Sequence, residues 1–417
     1  MGAYTFAFFD SRVDVELPDE SLVPKTAPDP APPIGDVYRS TRDALRDPIG
    51  TPPLSAGIDR ESRILVAVPD RSRHTDIRAV LRAVLDEIAE AGAERERVTL
   101  LVALGTHRPM SDREIAEKVG EDVARTYRVM NHDYDDPAML VDLGETADGL
   151  PVEFNRQITE HDYIVSIGAI APHPVGGFSG GAKGLLPGIA GKRSTDYFHW
   201  AATGYPLFEI FGNPDNPVRH EMEGIVRSVG LDCIVNVTEN AEREISGVFA
   251  GHFIEAHRAG VAFLREHPSI AFPLEMTDLM IVGLGRDRPD FWGGAAGIYA
   301  AAAFLKPQGT LVLFAACPEG VAPEHPVVTE YGYRRWREIA GLVEEGVIPD
   351  RTGASHLVTV GRILDEKEIE VLIVSEGIDG EDAAVLGFSS FEKPQDAVDE
   401  AISRAGSDAR ILIYERI

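Results

Sequence analysis

From Arg63 onward, short apolar runs alternate with amphipathic stretches of helical spacing: RILVAVP, TDIRAVLRAVLDEIAEAG, RVTLLVAL and SDREIAEKVG follow one another in order. Parallel strands joined by crossover helices produce this pattern, so the chain is expected to be α/β with a largely parallel sheet. Ser111 and Glu114 have capping-box spacing, which predicts a helix start there. Further strands are expected at DYIVSIG, LDCIVNV and REISGVF, with helices near 218–229 and 254–266.

A second block begins near Met276, with TDLMIVGLG, an Ala-rich helix around 295–305, GTLVLFAA, IEVLIVSEG and ARILIYE, and with helices between 330 and 347 outside its sheet. The stretch REHPSIAFPLE interrupts both periodicities and sets the boundary near 268–273. Residues 4–17 alternate like a strand pair, and the Pro-rich PKTAPDPAPPIGD follows. The expected division is an N-terminal arm and linker over 1–60, packed on the first domain, then a cofactor-binding catalytic α/β domain over 61–270. A second α/β domain over 271–417 would close over the substrate, leaving the active site in the inter-domain crevice.

The 68 acidic residues against 40 basic give a formal charge of −28, which opposes binding to nucleic acid or an anionic membrane and favours a small-molecule partner. Cys233 and Cys317 lie far apart, suggesting neither a disulfide framework nor a thiolate zinc site and fitting a reducing, cytoplasmic setting. Asp10, Arg12 and Asp14 interrupt the N-terminal stretch where a signal peptide needs continuous apolarity, and no later run reaches membrane-spanning length.

The chemistry concentrates after three of the apolar runs. PDRSR follows ILVAV, GTHRPM follows LLVAL, and APHPVGGFSGGAK follows YIVSIGA. In open α/β sheets ligands bind outside the carboxyl ends of the strands. If those strands are parallel and close, Asp70, Arg73, His107, His173 and Lys183 converge. Lys183 sits among seven glycines between Gly176 and Gly191, with His173 ten residues before it and His199 sixteen after. So many glycines fit a backbone that must approach a ligand closely. The lysine offers a phosphate-binding charge or a nucleophilic amine, the arginine an anion clamp, and two histidines an acid/base pair.

Each residue also has a plain structural role to weigh: Asp70 as a helix cap, Arg73 as a surface ion pair, His107 and His173 as turn-orienting groups. His199, in YFHW, fits a packed core histidine nearly as well as a ligand. NHDYDD, with His132, Asp133 and Asp135, reads as an ordinary loop, while His252, His257 and His325 show no coherent spacing. GGFSGGAKG is not a P-loop, because no Ser or Thr follows the lysine, and GLGRDRPD lacks the dinucleotide fingerprint. No HExxH or CxxC occurs.

Taken together, Asp70-x-x-Arg73, Gly105-Thr106-His107, His173 with Lys183 in the Gly-rich loop, and His199 resemble the lactate racemase family, whose members use a nickel-pincer nucleotide. The resemblance spans about 69–251, NPVRHEME included, and more loosely the second block. It implies an isomerase, a 2-hydroxyacid racemase or epimerase. Lys183 would carry the nucleotide covalently, with Gly180, Gly181 and Asp70 supporting it, and His199 would be the nickel ligand. His107 and His173 would be the acid/base groups and Arg73 the anion anchor. A histidine would take the hydroxyl proton while the α-hydride moves to the cofactor, leaving a planar 2-keto acid. Cofactor-biosynthesis proteins are the implied partners.

The family also places a Gln and a Lys at the start of the Ala-rich helix, and this chain has neither between Gly285 and Lys306. A substrate other than lactate is therefore expected, with Arg286, Arg288 or Trp292 as substitutes. Two alternatives stand beside this: Lys183 as a Schiff-base lysine for pyridoxal phosphate, and a nonenzymatic nucleotide-binding homologue.

Overall fold

The computed structural model describes residues 1–26, 31–285 and 288–416, and the chain divides into two compact units, Pro28–Ile270 and Met1–Ala27 with Ala271–Ile417.

The Pro28–Ile270 unit is built on a six-stranded sheet in the order Ile245–Gly251, Cys233–Glu239, Tyr163–Ala169, Ile64–Pro69, Val98–Ala103 and Arg128–Asn131. Only the pair of Cys233–Glu239 with Ile245–Gly251 is antiparallel. The strand Ile64–Pro69 is buried throughout, because both faces are covered. Val66, Val68, Leu100, Val165 and Val235 pack with Leu81, Val84 and Ile88 of the helix Arg78–Glu90. The alternate residues Leu65, Ala67, Leu101, Ile164 and Ile234 meet Leu185, Leu186, Ile189, Phe198, Met222 and Ile225 on the other face. Side chains alternate across a strand even where the sequence is uniformly apolar. The helix expected at Ser111 begins with a complete capping box, Ser111 N–H donating to Glu114 Oε2 at 2.8 Å.

From Ile64–Pro69 the chain proceeds outward in one direction through Val98–Ala103 and Arg128–Asn131. It returns to lay Tyr163–Ala169 on the opposite edge and proceeds the other way. The topological switch point thus lies between Ile64–Pro69 and Tyr163–Ala169, where such folds bind ligands.

The other unit holds a seven-stranded sheet. Ser389–Phe391, Glu370–Val374, Leu305–Phe314 and Thr277–Gly285 are parallel neighbours. The far edge of Thr277–Gly285 is shared: Ile411–Tyr414 pairs with Leu279 to Val282, and Gly2–Phe9 with Leu284 and Gly285. Gly2–Phe9 and Ser11–Leu17 form an antiparallel hairpin.

That hairpin corrects the expectation that the whole arm over 1–60 packs on the first domain. Phe6, Phe8, Val15 and Leu17 share a core with Leu279, Ile281, Val312 and Phe314, because the open edge of Thr277–Gly285 offers backbone partners and an apolar face together. The hairpin's continuation stays in the same unit, where Leu22 bridges to Ile411 and Lys25 to Pro273, and only the later part of the arm packs in the Pro28–Ile270 unit. Its helix Val37–Arg46 lies on Arg78–Glu90, with Tyr38 Oη–H donating to Asp86 at 2.9 Å and Arg42 Nε–H to Glu87 at 2.7 Å. Beyond the expected helices between 330 and 347, the sixteen-residue helix Arg351–Glu366 packs with Trp336–Glu344. Among the described residues no helix is long and apolar enough to cross a membrane.

Candidate active site

Ile64–Pro69 has Tyr163–Ala169 on one side and Val98–Ala103 on the other, all parallel. The three polar clusters therefore leave the sheet side by side, at and next to the switch point. Asp70 is buried and caps no helix, since Arg78–Glu90 begins after Ile77. Its Oδ2 accepts from His107 Nδ1–H at 2.7 Å and its Oδ1 from Ser72 Oγ–H at 2.7 Å. Burial opposes the charge, but the attraction and hydrogen bond of His107, with Arg73 and Ser72 beside them, hold the carboxyl well below the usual carboxylate range. With one proton engaged at Nδ1, the uncharged form of His107 has its lone pair on Nε2.

Lys118, which the sequence reading passed over, steadies the loop after Asp70. Its ammonium donates to the carbonyls of Arg73 and Thr75, and burial pushes it down to about 8.

His173 lies in the two-residue strand Pro172–His173, paired with Gly177–Phe178. Its Nδ1 accepts the N–H groups of Val175 and Gly176 at 3.1 and 3.3 Å. Burial, then the cations Lys183 and Arg73, then His199 and Arg219, push His173 well below the ordinary histidine value. Burial also brings Lys183 down to about 7, with Arg73 and Arg219 adding to the effect and Asp70 opposing it. Asp70, Arg73, His107, His173, Lys183 and His199 are thus one electrostatically coupled cluster.

The Gly-rich loop rests on the strand ends because its glycines allow it. A Cβ at Gly184 would collide with the Ser166 hydroxyl, which stands on Tyr163–Ala169. Gly180 has φ +75°, and a Cβ there would come 2.6 Å from Asn236 Oδ1. That oxygen accepts the Gly181 N–H at 2.7 Å, and the Asn236 Nδ2, buried in a side chain only 1% exposed, has no hydrogen-bond partner. Gly105 N–H donates to Gly188 O at 2.9 Å, tying the His107 turn to the same loop.

His132, in the stretch read as an ordinary loop, is a buried pin. Its Nε2–H donates to Ala190 O at 2.9 Å and its Nδ1 accepts from Asn155 Nδ2–H at 3.1 Å. Burial takes its pKa down to about 4, so it is neutral near pH 7. His257 likewise donates from Nε2 to Ser179 O at 2.9 Å. Neither role has a sequence signal, since the partners are backbone carbonyls far along the chain.

His199 lies on the helix Lys192–Ala202 and packs edge-on against Phe198. Its Nδ1–H donates to Thr195 O at 2.9 Å, one turn back, which leaves the lone pair on Nε2. Among the described residues no group of three or more His, Cys, Asp or Glu side chains could hold a metal.

The remaining candidates belong to the other unit. Arg286 lies outside the described residues. Arg288 follows the strand Thr277–Gly285, and its Cδ would be 3.1 Å from a Cβ at Gly293. Trp292 is stacked with two imidazoles, His325 at 4.4 Å between centroids and His356 at 4.3 Å. His325 Nδ1 bonds Asp350 at 2.8 Å and His356 Nε2 the Tyr333 hydroxyl at 2.9 Å.

Residues 8–206 match the model of the lactate racemase N-terminal domain. The chain is 29% identical over 302 residues to a lactate racemase of Thermoanaerobacterium thermosaccharolyticum, spanning 70% of this chain and 67% of that one. It is 26% identical over 377 residues to a lactate racemase of Lactiplantibacillus plantarum, spanning 89% and 87%. The solved lactate racemase apoprotein from T. thermosaccharolyticum aligns over 100% of this chain and 98% of its own, with a TM-score of 0.82 and 25% identity. A Thermotoga maritima protein shares the fold at a TM-score of 0.73 and 20% identity, over 92% of this chain and 99% of that one. With the matched region running through all three strand-end clusters as far as His199, these likenesses support the lactate racemase family for this chain.

Proposed function

We propose that this racemase inverts the C2 carbon of a 2-hydroxy acid other than lactate, with a nickel-pincer nucleotide carried on Lys183. The observation that supports the reading most is the opposed presentation of two imidazoles at one switch point, beside an arginine and a lysine whose amine titrates near neutrality. His107 takes the substrate hydroxyl proton at Nε2, and Asp70 stabilises the imidazolium that results. His173, kept neutral with Nδ1 occupied by two backbone donors, gives the oxygen a hydrogen bond from Nε2–H, and the proton held on His107 returns to that oxygen when the alcohol re-forms. Because the proton that leaves is the one that returns, either enantiomer can enter. Arg73 clamps the substrate carboxylate.

The residues fit the nickel-pincer nucleotide. Lys183, with much of its amine neutral at pH 7, can form the covalent attachment. His199 can offer Nε2 to nickel. The chain's side chains supply no complete donor set among the described residues, which suits a metal whose other ligands belong to the nucleotide. Gly180 and Gly181 let the backbone approach it, Asp70 supports the site, and the partnerless Asn236 Nδ2 is a donor beside that loop. When bound, the group supplies reversible hydride acceptance from C2.

Arg288 and Trp292 are the residues we propose in place of the missing Gln and Lys. With two imidazoles stacked against its ring, Trp292 would offer the edge of its indole. The enzyme works in the cytoplasm, with cofactor-biosynthesis proteins as its partners.

The test is to purify the chain after expression with and without a cofactor-synthesis system, and to measure nickel, intact mass and inversion of a panel of 2-hydroxy acids by chiral chromatography. One nickel with an adduct on the Lys183 peptide, and fastest inversion of an acid bulkier than lactate, is expected. A borohydride-fixed pyridoxyl adduct, or reversible nucleotide binding without inversion, would overturn the cofactor reading. Lactate as the best substrate would overturn the substrate reading alone.

A further inference from the structure

Arg219, on the helix Pro217–Val229, is the largest fully buried side chain among the described residues. Glu223, one turn on, supplies its counter-charge at 3.3 Å. Arg258 grips the same carboxylate at 2.9 and 3.2 Å. The rest of the Arg219 fork goes to backbone: Nε–H donates to Gly176 O at 2.8 Å and Nη2–H to Phe178 O. Arg258 also donates to His257 Nδ1 at 3.2 Å, and His257 Nε2–H holds Ser179 O. One buried chain of charges therefore grips the carbonyls of residues 176, 178 and 179. Three residues earlier stands His173, and four residues later Lys183.

Buried ion pairs are poor devices for stability alone, since well-packed apolar groups commonly do as well, whereas a planar fork fixes two acceptors at a defined separation. Burial, partly offset by Glu223 and reinforced by Arg258, lowers the guanidinium only to about 10, so it is charged at neutral pH.

We propose that Arg219 is a positioning residue that presets the Gly-rich loop, holding the Gly176 and Phe178 carbonyls so that His173 and Lys183 stand in their working places before any cofactor is attached. The inference rests on the reading of Lys183 given above. An Arg219→Lys chain keeps the charge but cannot span both carbonyls.

The experiment compares wild-type and Arg219→Lys proteins, both cofactor-free, by acetylation of Lys183 with an N-hydroxysuccinimide ester at pH 7, using Lys192 as the internal reference. Adduct loading by the cofactor-synthesis proteins is then read by intact mass. With circular dichroism and Tm retained, a fall in both of about tenfold or more is expected, as for a misplaced reacting group. Unchanged labelling and loading in the folded variant overturn the proposal.

Should the variant fail to fold, hydrogen exchange on the cofactor-free wild-type chain decides. Slow exchange at the Ser179 and Gly181 amides supports a preset loop, and exchange at the rate of unstructured peptide overturns it. A wild-type chain that labels at Lys183 but never gains an adduct defeats the cofactor reading instead, and the labelling ratio alone then judges Arg219.

Discussion

His107 and His173 are held in opposite tautomers: His107 donates from Nδ1 to Asp70, while His173 accepts two backbone N–H groups at the same ring position. The Nε2 of one is therefore a lone pair and that of the other a proton donor. A pair prepared this way offers one substrate oxygen a base on one side and a hydrogen-bond donor on the other.

Asp70→Asn should disturb the His107 tautomer and remove the charge that stabilises its imidazolium, lowering the inversion rate by about a hundredfold or more. Chiral chromatography on the loaded enzyme measures this, and a rate within about twofold of wild type would contradict the role. A stability effect accompanies it. The folded Asp70 carboxyl lies below its unfolded value, so its contribution is present above the usual carboxylate range and drains as pH falls below about 4. Acid unfolding followed by circular dichroism should show a weaker dependence in Asp70→Asn.

Lys183 carries the opposite sign. An amine lowered to about 7 in the fold but ordinary in the unfolded chain destabilises the protein most below pH 7, and the penalty fades as pH rises toward the unfolded value. Lys183→Met is expected to raise Tm at pH 6 by more than at pH 9. An equal gain at both values would mean that the amine is not desolvated.

Gly184→Ala places a methyl group against the Ser166 hydroxyl and should cost about 1–3 kcal/mol by overpacking. Ser166→Ala in the same chain should recover part of that loss. Urea unfolding of the four members of the cycle gives the coupling, and strict additivity would place the collision elsewhere.

Trp292→Phe retains an aromatic ring against His325 and His356 and should cost about 1 kcal/mol, with Trp292→Ala losing clearly more. The same two variants should shift preference among 2-hydroxy acids if the indole edge meets the substrate. Altered stability with an unchanged ranking would make the stack purely architectural.

The sheet and its three polar clusters were legible because both depend on local signals: apolar runs of strand length, and polar residues directly after them. What stayed hidden depends on distant backbone. His132 reaches Ala190, Arg219 reaches Gly176, and Lys118 reaches Arg73, each an interaction with a carbonyl that any residue type possesses. The hairpin Gly2–Phe9/Ser11–Leu17 was recognisable as strands, yet its partner lies beyond the whole Pro28–Ile270 unit. His325 showed no spacing to another histidine because an indole and a helix bring it to His356.

The partnership of the N-terminal hairpin with Thr277–Gly285 also imposes an order on synthesis. At about 5–20 residues per second, the hairpin spends on the order of tens of seconds outside the ribosome before its neighbouring strand is made. During that wait Phe6 and Phe8 lack the core they will share with Leu279 and Phe314. The Pro28–Ile270 unit, complete in the meantime, is free to fold first, and the hairpin Gly2–Phe9/Ser11–Leu17 is the segment left waiting with its apolar face uncovered.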